Sequence, residues 1–487
     1  MSWRRMNIWV GGALMICSMT PAYSEPQSDV QANLPTPDLE VPHAPTASDG
    51  ITEAPIKDSQ NLAPDANSLT GARDLSLGVS RLRHSFWQPY INLTSTLDTN
   101  SLTTGHTGSL TTWSSLYGGI DLHKMSGQSD LTMTYLGGGL ISNDGKASNS
   151  VVQQLELGDK LNWRRSNLSF TNQLSYLPEA AFGFGLPSGL SPSLGQGTPV
   201  QPVLAPNQSI LTTQAGRISN TFLAELDKFL TPRSSLTFVG SYSVLHFLDG
   251  GFLNSSGTVF QVGYNRKATR EDTVAVLYRF TTFQYNSANQ SINSHVMQLS
   301  YGRQLTGRMA FQVAAGPGLG LFRTPLLVNT GASAGSPTMG GSSTQLYWTL
   351  DTSMTHQMRL AQLRFAYDHS LSEGAGVLAG AVNDQVSGSI NSQLSRALNG
   401  GFVAGYARNR GISVATPTPS NQSYNYWFAG VNCAHPMGRS SSLFVNYRVQ
   451  FQDSDIAFCA GATCGRSLVR HTLSIGFDWR SRPIAME

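Results

Sequence analysis

Residues 467–480 read SLVRHTLSIGFDWR. Val469, His471, Leu473, Ile475, Phe477 and Trp479 share one parity, and Arg470, Thr472, Ser474, Gly476, Asp478 and Arg480 share the other. Successive side chains of a strand point to opposite faces, so this stretch has an apolar face and a face of charge, hydroxyl and glycine. In water, the apolar face of such a strand turns to a protein core. In a membrane wall it turns to lipid, and the polar face lines an enclosed aqueous space. The choice between the two rests on the rest of the chain.

The same texture recurs from about residue 86 to residue 479. LTFVGSYSVLHF (236–247), TVAVLYRFTTFQY (273–285), VMQLSYGRQL (296–305), LAQLRFAYDHS (360–370) and LFVNYRVQF (443–451) each alternate in this way. Eighteen such segments can be marked. Each is near the ~10 residues that a tilted strand needs to cross a bilayer, about twice the usual soluble strand. The connections alternate in length. HKMSGQS (123–129), WRRSN (163–167), TPR (231–233), LTG (305–307) and LNG (398–400) are short, whereas 178–216, 320–343, 371–383, 411–421 and 452–466 are long. A secreted sandwich, repeat protein or fibre explains the alternation but not this rhythm. The pattern predicts an all-β fold, a transmembrane antiparallel up-and-down β-barrel of about 18 strands, with 16 the neighbouring even count.

The polar parity then marks the inside. Lumen positions predicted on it are Arg279, Arg364, Asp368, Arg448 and Arg470 in the second half of the chain, and Glu156, Glu225 and Asp227 in the first. Opposite walls of unlike sign would give a transverse field across the pore. Ordinary ion pairing that stiffens the wall is the alternative. Trp163, Tyr176, Tyr285 and Trp479 fall toward segment ends, where interfacial aromatics belong. GPGLG (316–320) opens no helix and reads as a turn at a strand end.

Outside the alternating region, MSWRR, the apolar run MNIWVGGALMICSM and the small residues Ala22 and Ser24 form a secretory signal peptide over 1–24. Residues 25–85 are rich in Pro, Asp, Ala and Ser and predict a disordered tether. The barrel is placed at 86–480, and 481–487 is a C-terminal tail. Charged residues make up 13%, and the net charge of +3 is too small to argue for nucleic acid. After the signal, no apolar run approaches the ~20 residues of a membrane helix. Of the four cysteines, Cys459 and Cys464 form a C-x4-C in a Gly/Ala-rich loop that suits a local disulfide. Zinc lacks partner ligands at suitable spacing there. Cys433 is left over as a buried or free thiol.

With its signal peptide, its alternating segments over 86–479 and its closing LSIGFDW, the chain resembles bacterial outer-membrane β-barrels of the porin kind. The resemblance implies an integral protein of outer-membrane lipid with a periplasmic tether. It also implies insertion by the barrel-assembly machinery, which reads a last strand ending in an aromatic. Here RSRPIAME follows Trp479, a departure from that pattern. In porins the third external loop folds inward. The matching segment, 177–209, carries Glu179, Phe182 and Phe184, so a constriction there would be nearly neutral and partly apolar. A plain surface loop is the alternative.

Passive diffusion of small hydrophilic solutes is the leading function. An export barrel for a secreted polysaccharide, with Trp113, Tyr117 and Tyr347 as a stacking track, and a closed structural or surface barrel are the others. No H-E-x-x-H, Walker or G-x-S-x-G pattern occurs, so no enzyme, metal or cofactor is expected, and oligomeric state does not follow from the sequence.

Overall fold

The computed structural model describes residues 85–99, 110–145, 149–177, 216–248, 253–285, 290–323, 342–372, 380–395, 397–412, 423–454 and 467–486. All belong to one compact unit, Lys57–Glu487. The signal peptide, the tether, the 178–209 part of the expected constriction loop and the Cys459–Cys464 loop lie outside the described residues.

Alternation produces strands throughout. In chain order they are β1 (Phe86–Asp98), β2 (Thr111–Ser126), β3 (Ser129–Ser142), β4 (Ser150–Trp163), β5 (Ser166–Leu177), β6 (Arg217–Thr231), β7 (Ser234–Phe247), β8 (Ser255–Lys267) and β9 (Asp272–Tyr285). The second half has β10 (Gln290–Thr306), β11 (Met309–Arg323), β12 (Ser342–Gln357), β13 (Ala361–Ser372), β14 (Ala381–Ser395), β15 (Leu398–Gly411), β16 (Ser423–Pro436), β17 (Ser441–Ser454), β18 (Ser467–Arg480) and β19 (Ile484–Ala485). A strand of ~14 residues at ~3.3 Å per residue and ~40° tilt rises about 35 Å, enough for the hydrocarbon core with margins at both rims.

Each strand pairs antiparallel with its neighbours in sequence, and β18 returns to β1 from Tyr90↔Arg480 to Asp98↔Thr472. That closes an 18-strand barrel. Closure satisfies the backbone around the ring and leaves no edge in hydrocarbon. The short turns lie at one rim, where three register shifts also fall, at Phe229/Thr231, Gln304/Thr306 and Gln393/Ser395. Gly127, with φ of 57°, takes the left-handed step in the turn between β2 and β3.

The segment after Arg480, read as a tail, keeps to β1. Ile484 and Ala485 of β19 pair with Trp87 and Phe86, and Ser481 N–H donates to Pro89 O at 3.0 Å. The register slips by one residue between β18 and β19, in the stretch that holds Pro483, which has no amide to give.

The two faces differ as the opening stretch requires. Ile91, Leu93, Leu116, Leu473 and Ile475 point outward and are exposed, while Asn92, Thr94, Asp98, Arg470, Ser474 and Asp478 of the other parity are buried. Wetting an apolar side chain costs about 1.5–3 kcal/mol, and a soluble monomer's largest apolar patch is a few hundred Å². A wall lined on its outside with exposed Leu, Ile, Phe and Trp all round the ring is therefore a lipid-facing surface.

Two expectations are corrected. Tyr285 is not an interfacial aromatic: on β9 the inward set is Leu277, Arg279, Thr281, Phe283 and Tyr285, and Tyr285 is buried against Ile292 and Phe322. GPGLG is not a turn: Gly316–Gly320 lie inside β11. Pro317 points outward and interrupts the ladder with β10, whose pairing skips from Val296↔Gly318 to Leu299↔Ala315. A Cβ on Gly316 would lie 1.7 Å from Met297 O, so glycine admits the close approach of β10.

Candidate functional site

The lumen wall is the only extended polar surface that the described strands enclose. The cross-strand register puts Glu156, Glu225, Asp227, Arg279, Arg364, Asp368, Arg448 and Arg470 on its parity. They do not gather at one place: some join two small clusters, and the others are spread along the wall. Asp227 accepts from Thr237 Oγ1 at 2.5 Å and forms part of the wall near the short-turn rim. Glu179, Phe182 and Phe184 lie outside the described residues.

The first cluster surrounds a cavity of about 70 Å³ lined by Asp98, Trp113, Ser115, Tyr117, Arg448 and Arg470 among others. Arg470 Nε donates to Asp98 Oδ1 and Oδ2 at 3.1 and 3.0 Å, and Nη2 also donates to Oδ2. Both side chains are nearly inaccessible, and the fork-on-carboxylate geometry ties β18 to β1 across the closing seam. Arg448, one strand away on β17, has no ion pair among the described residues. The cavity thus presents one compensated guanidinium and one that is not.

Trp113 and Tyr117 point inward, but they are 5% and 0% exposed and pack with Tyr90, Leu136, Leu140 and Val152. They belong to the wall.

The second cavity, about 30 Å³, is lined by Arg279, Phe283, Ser294, Tyr347, Thr349 and Ser370 among others. Arg279 Nε donates to Gln261 Oε1 at 2.6 Å. Gln298 Nε2 donates to Thr349 Oγ1 at 2.9 Å and Asp351 Oδ2 at 3.0 Å, and Ser370 Oγ donates to Asp368 Oδ1 at 2.7 Å. Arg279 and one arm of Gln298 are held by neutral side chains, whereas Ser370 and the second contact of Gln298 end on the carboxylates of Asp368 and Asp351.

The walls are not segregated by sign. Asp351 and Asp368 are cross-strand partners in the second half, and Arg217 stands inward in the first half. Asp121, Asp478 and Arg480 form a further mixed group, with Arg480 Nη1 3.7 Å from Asp121 and its guanidinium 5.2 Å from the Tyr90 ring centre. Over lumen distances such mixed charges are screened within about 8–10 Å, so the local clusters matter more than any transverse field. Asp98, Asp121, Asp351 and Arg217 were not singled out from the sequence. Each lies on a predictable parity, but Asp98 and Arg217 sit at strand ends, where boundaries are hardest to place.

A further wall feature is legible only with the register in hand. On the lumen face Tyr90 sits directly across from Gly119, Tyr117 from Gly138, Tyr347 from Gly318, Phe428 from Gly405 and Phe444 from Gly476. A Cβ at Gly119 would lie 2.2 Å from Tyr90 Cζ, and one at Gly476 would lie 2.3 Å from Phe444 Cζ. Each ring therefore lies flat along the wall, over its glycine. The arrangement keeps the bulk of five inward aromatics off the barrel axis.

No family model matches the chain, and no curated protein is similar to it in sequence. Among solved structures it is similar to Pseudomonas aeruginosa OccK2 (OpdF) in complex with glucuronate, at 10% identity and a TM-score of 0.40, covering 82% of this chain and 98% of that one. It is similar also to Pseudomonas aeruginosa OpdK with vanillate (9%, TM-score 0.39, 81% and 99%). A third is the ferric-catecholate import receptor Fiu from E. coli K12, open form (9%, TM-score 0.41, 82% of each chain).

Proposed function

We propose that the chain is an outer-membrane channel through which small hydrophilic solutes diffuse. The observation that carries this reading is the inverted polarity of a closed wall. Leu473, Ile475 and their counterparts face outward, and Asn92, Thr94, Gln298, Asp351 and Arg470 face inward on strands long enough to cross a bilayer. A water-filled interior is the medium that polar face calls for. In this reading 1–24 is removed on export, 25–85 is the periplasmic tether and the long connections face outside. The 177–209 segment, with Glu179, Phe182 and Phe184, narrows the lumen, and Cys459 and Cys464 form a local disulfide in an external loop.

Diffusion is favoured over polysaccharide export by the packing of the aromatics. A stacking track needs open ring faces, whereas Trp113 and Tyr117 are 5% and 0% exposed and Tyr347 lies over Gly318. Arg448 supports a preference for solutes with an anionic group, since it meets the lumen without a carboxylate of its own. The test is reconstitution into planar bilayers under a salt gradient. Wild type is expected to give discrete openings, and Arg448→Gln to shift the reversal potential toward cations. Discrete openings with an unchanged reversal potential remove the anion preference; no openings at all contradict the channel.

A further inference from the structure

Near the rim that bears the long connections, the outward face carries a group of charges that a lipid-facing wall does not need. His369 on β13, Asp384 on β14, Arg408 on β15 and Asn425 on β16 are successive cross-strand partners, and all point outward. Arg410 stands two residues farther along β15 and donates from Nη2 to Asp384 Oδ2 at 3.0 Å. His369 Nδ1 lies 2.5 Å from Asp384 Oδ1. Asp384 thus serves Arg410 and His369, whereas Arg408 is exposed and has neither an ion pair nor a side-chain hydrogen bond among the described residues. The next carboxylate in the row, Asp453 on β17, is two strands from Arg408, about 10 Å away.

Position gives the cluster its meaning. Arg408 is three residues from the end of β15 at Gly411, on the rim that bears the long connections. Outward aromatics flank it. Trp348 stacks on His369 at 3.9 Å, and Tyr406 packs on Trp427 at 4.2 Å, with both Trp rings about half exposed. Amphipathic rings of this kind settle at headgroup depth, and Arg408 and Arg410 lie on the loop side of the Tyr406–Trp427 pair. An unpaired guanidinium is costly at the bilayer midplane and nearly free near the interface, where a lipid phosphate can take its fork in two parallel bonds.

We propose that Arg408 and Arg410, framed by Trp348 and Trp427, form a docking site for a phosphorylated lipid headgroup of the outer leaflet. The site rests on the membrane reading above and is separate from the lumen. The full-length folded barrel in detergent, mixed with diphosphorylated lipid A or with zwitterionic phosphatidylcholine, gives the test by native mass spectrometry.

Wild type is expected to retain lipid A in preference, and Arg408→Gln with Arg410→Gln to weaken retention by about tenfold or more. Asp384→Asn, which releases Arg410, is expected to strengthen it. Lys228→Gln, a loss of one positive charge at the outward short-turn end of β6, should change nothing. Equal retention of the two lipids by wild type, no loss in the double variant, or no gain in Asp384→Asn overturns the site. Conductance of the same preparation separates the two levels: channels without lipid A preference remove only the headgroup site, and failure to insert removes the membrane reading itself.

Discussion

Arg470 and Asp98 show how a single residue pair holds the ring shut. Their side chains are 9% and 1% exposed, and they join the last full strand to the first. Removing one partner of a buried pair leaves an uncompensated charge, so Asp98→Asn is expected to destabilise the folded barrel by about 3 kcal/mol in urea titrations in vesicles. Replacing the pair together by Asp98→Leu and Arg470→Met is expected to recover most of that loss, since the desolvation of both charges disappears with them. Arg470 was legible from sequence because its alternation is unbroken from Val469 to Trp479. Asp98 was not, because the apparent segment ends at 96 and a carboxylate two residues beyond it reads as loop. Inward charges at mid-strand, such as Glu156, Arg279 and Arg448, could be placed by parity alone. Their partners could not, because partners depend on register.

At the scale of the strand, parity is strongly specified and register is not. Shifting one residue along β18 exchanges its faces, so substitutions there should obey a sharp rule. Ile475→Arg puts a charge in lipid and is expected to cost about 2–4 kcal/mol, whereas Thr472→Gln, on the lumen parity and partly exposed, is expected to cost little. Unfolding in vesicles measures both.

The glycine seats are a second element-scale feature. Gly119→Val is expected to raise the Tyr90 ring off the wall, lowering stability by about 1–3 kcal/mol and reducing single-channel conductance. A variant as stable and as conductive as wild type would show that the ring does not depend on the seat. Pairs such as Tyr347 with Gly318 join residues far apart in sequence that meet only by register, which alternation does not report. GPGLG misled for a related reason: glycine and proline usually punctuate strands, but here tertiary packing of Tyr347, Phe322 and the β10 backbone requires the small residues and absorbs the missing amide.

For the whole molecule, the decisive signal was the combination of strand length and connection rhythm, which separates a membrane barrel from a soluble sheet before any contact is known. What the rhythm could not supply was the interior. The local pairing of lumen charges, the packing of Trp113 and Tyr117 into the wall and the outward Arg408 cluster all follow from which strands face one another. A membrane barrel depends on the inversion of polarity across its wall.

Spin labels placed singly at 472 to 475, in a background without the four native cysteines, test it most directly in lipid vesicles. The odd positions are expected to be accessible to oxygen dissolved in lipid, and the even positions to a water-soluble paramagnetic chelate, with a period of two residues. The same accessibility at neighbouring positions, or chelate access at Leu473 and Ile475, would contradict it.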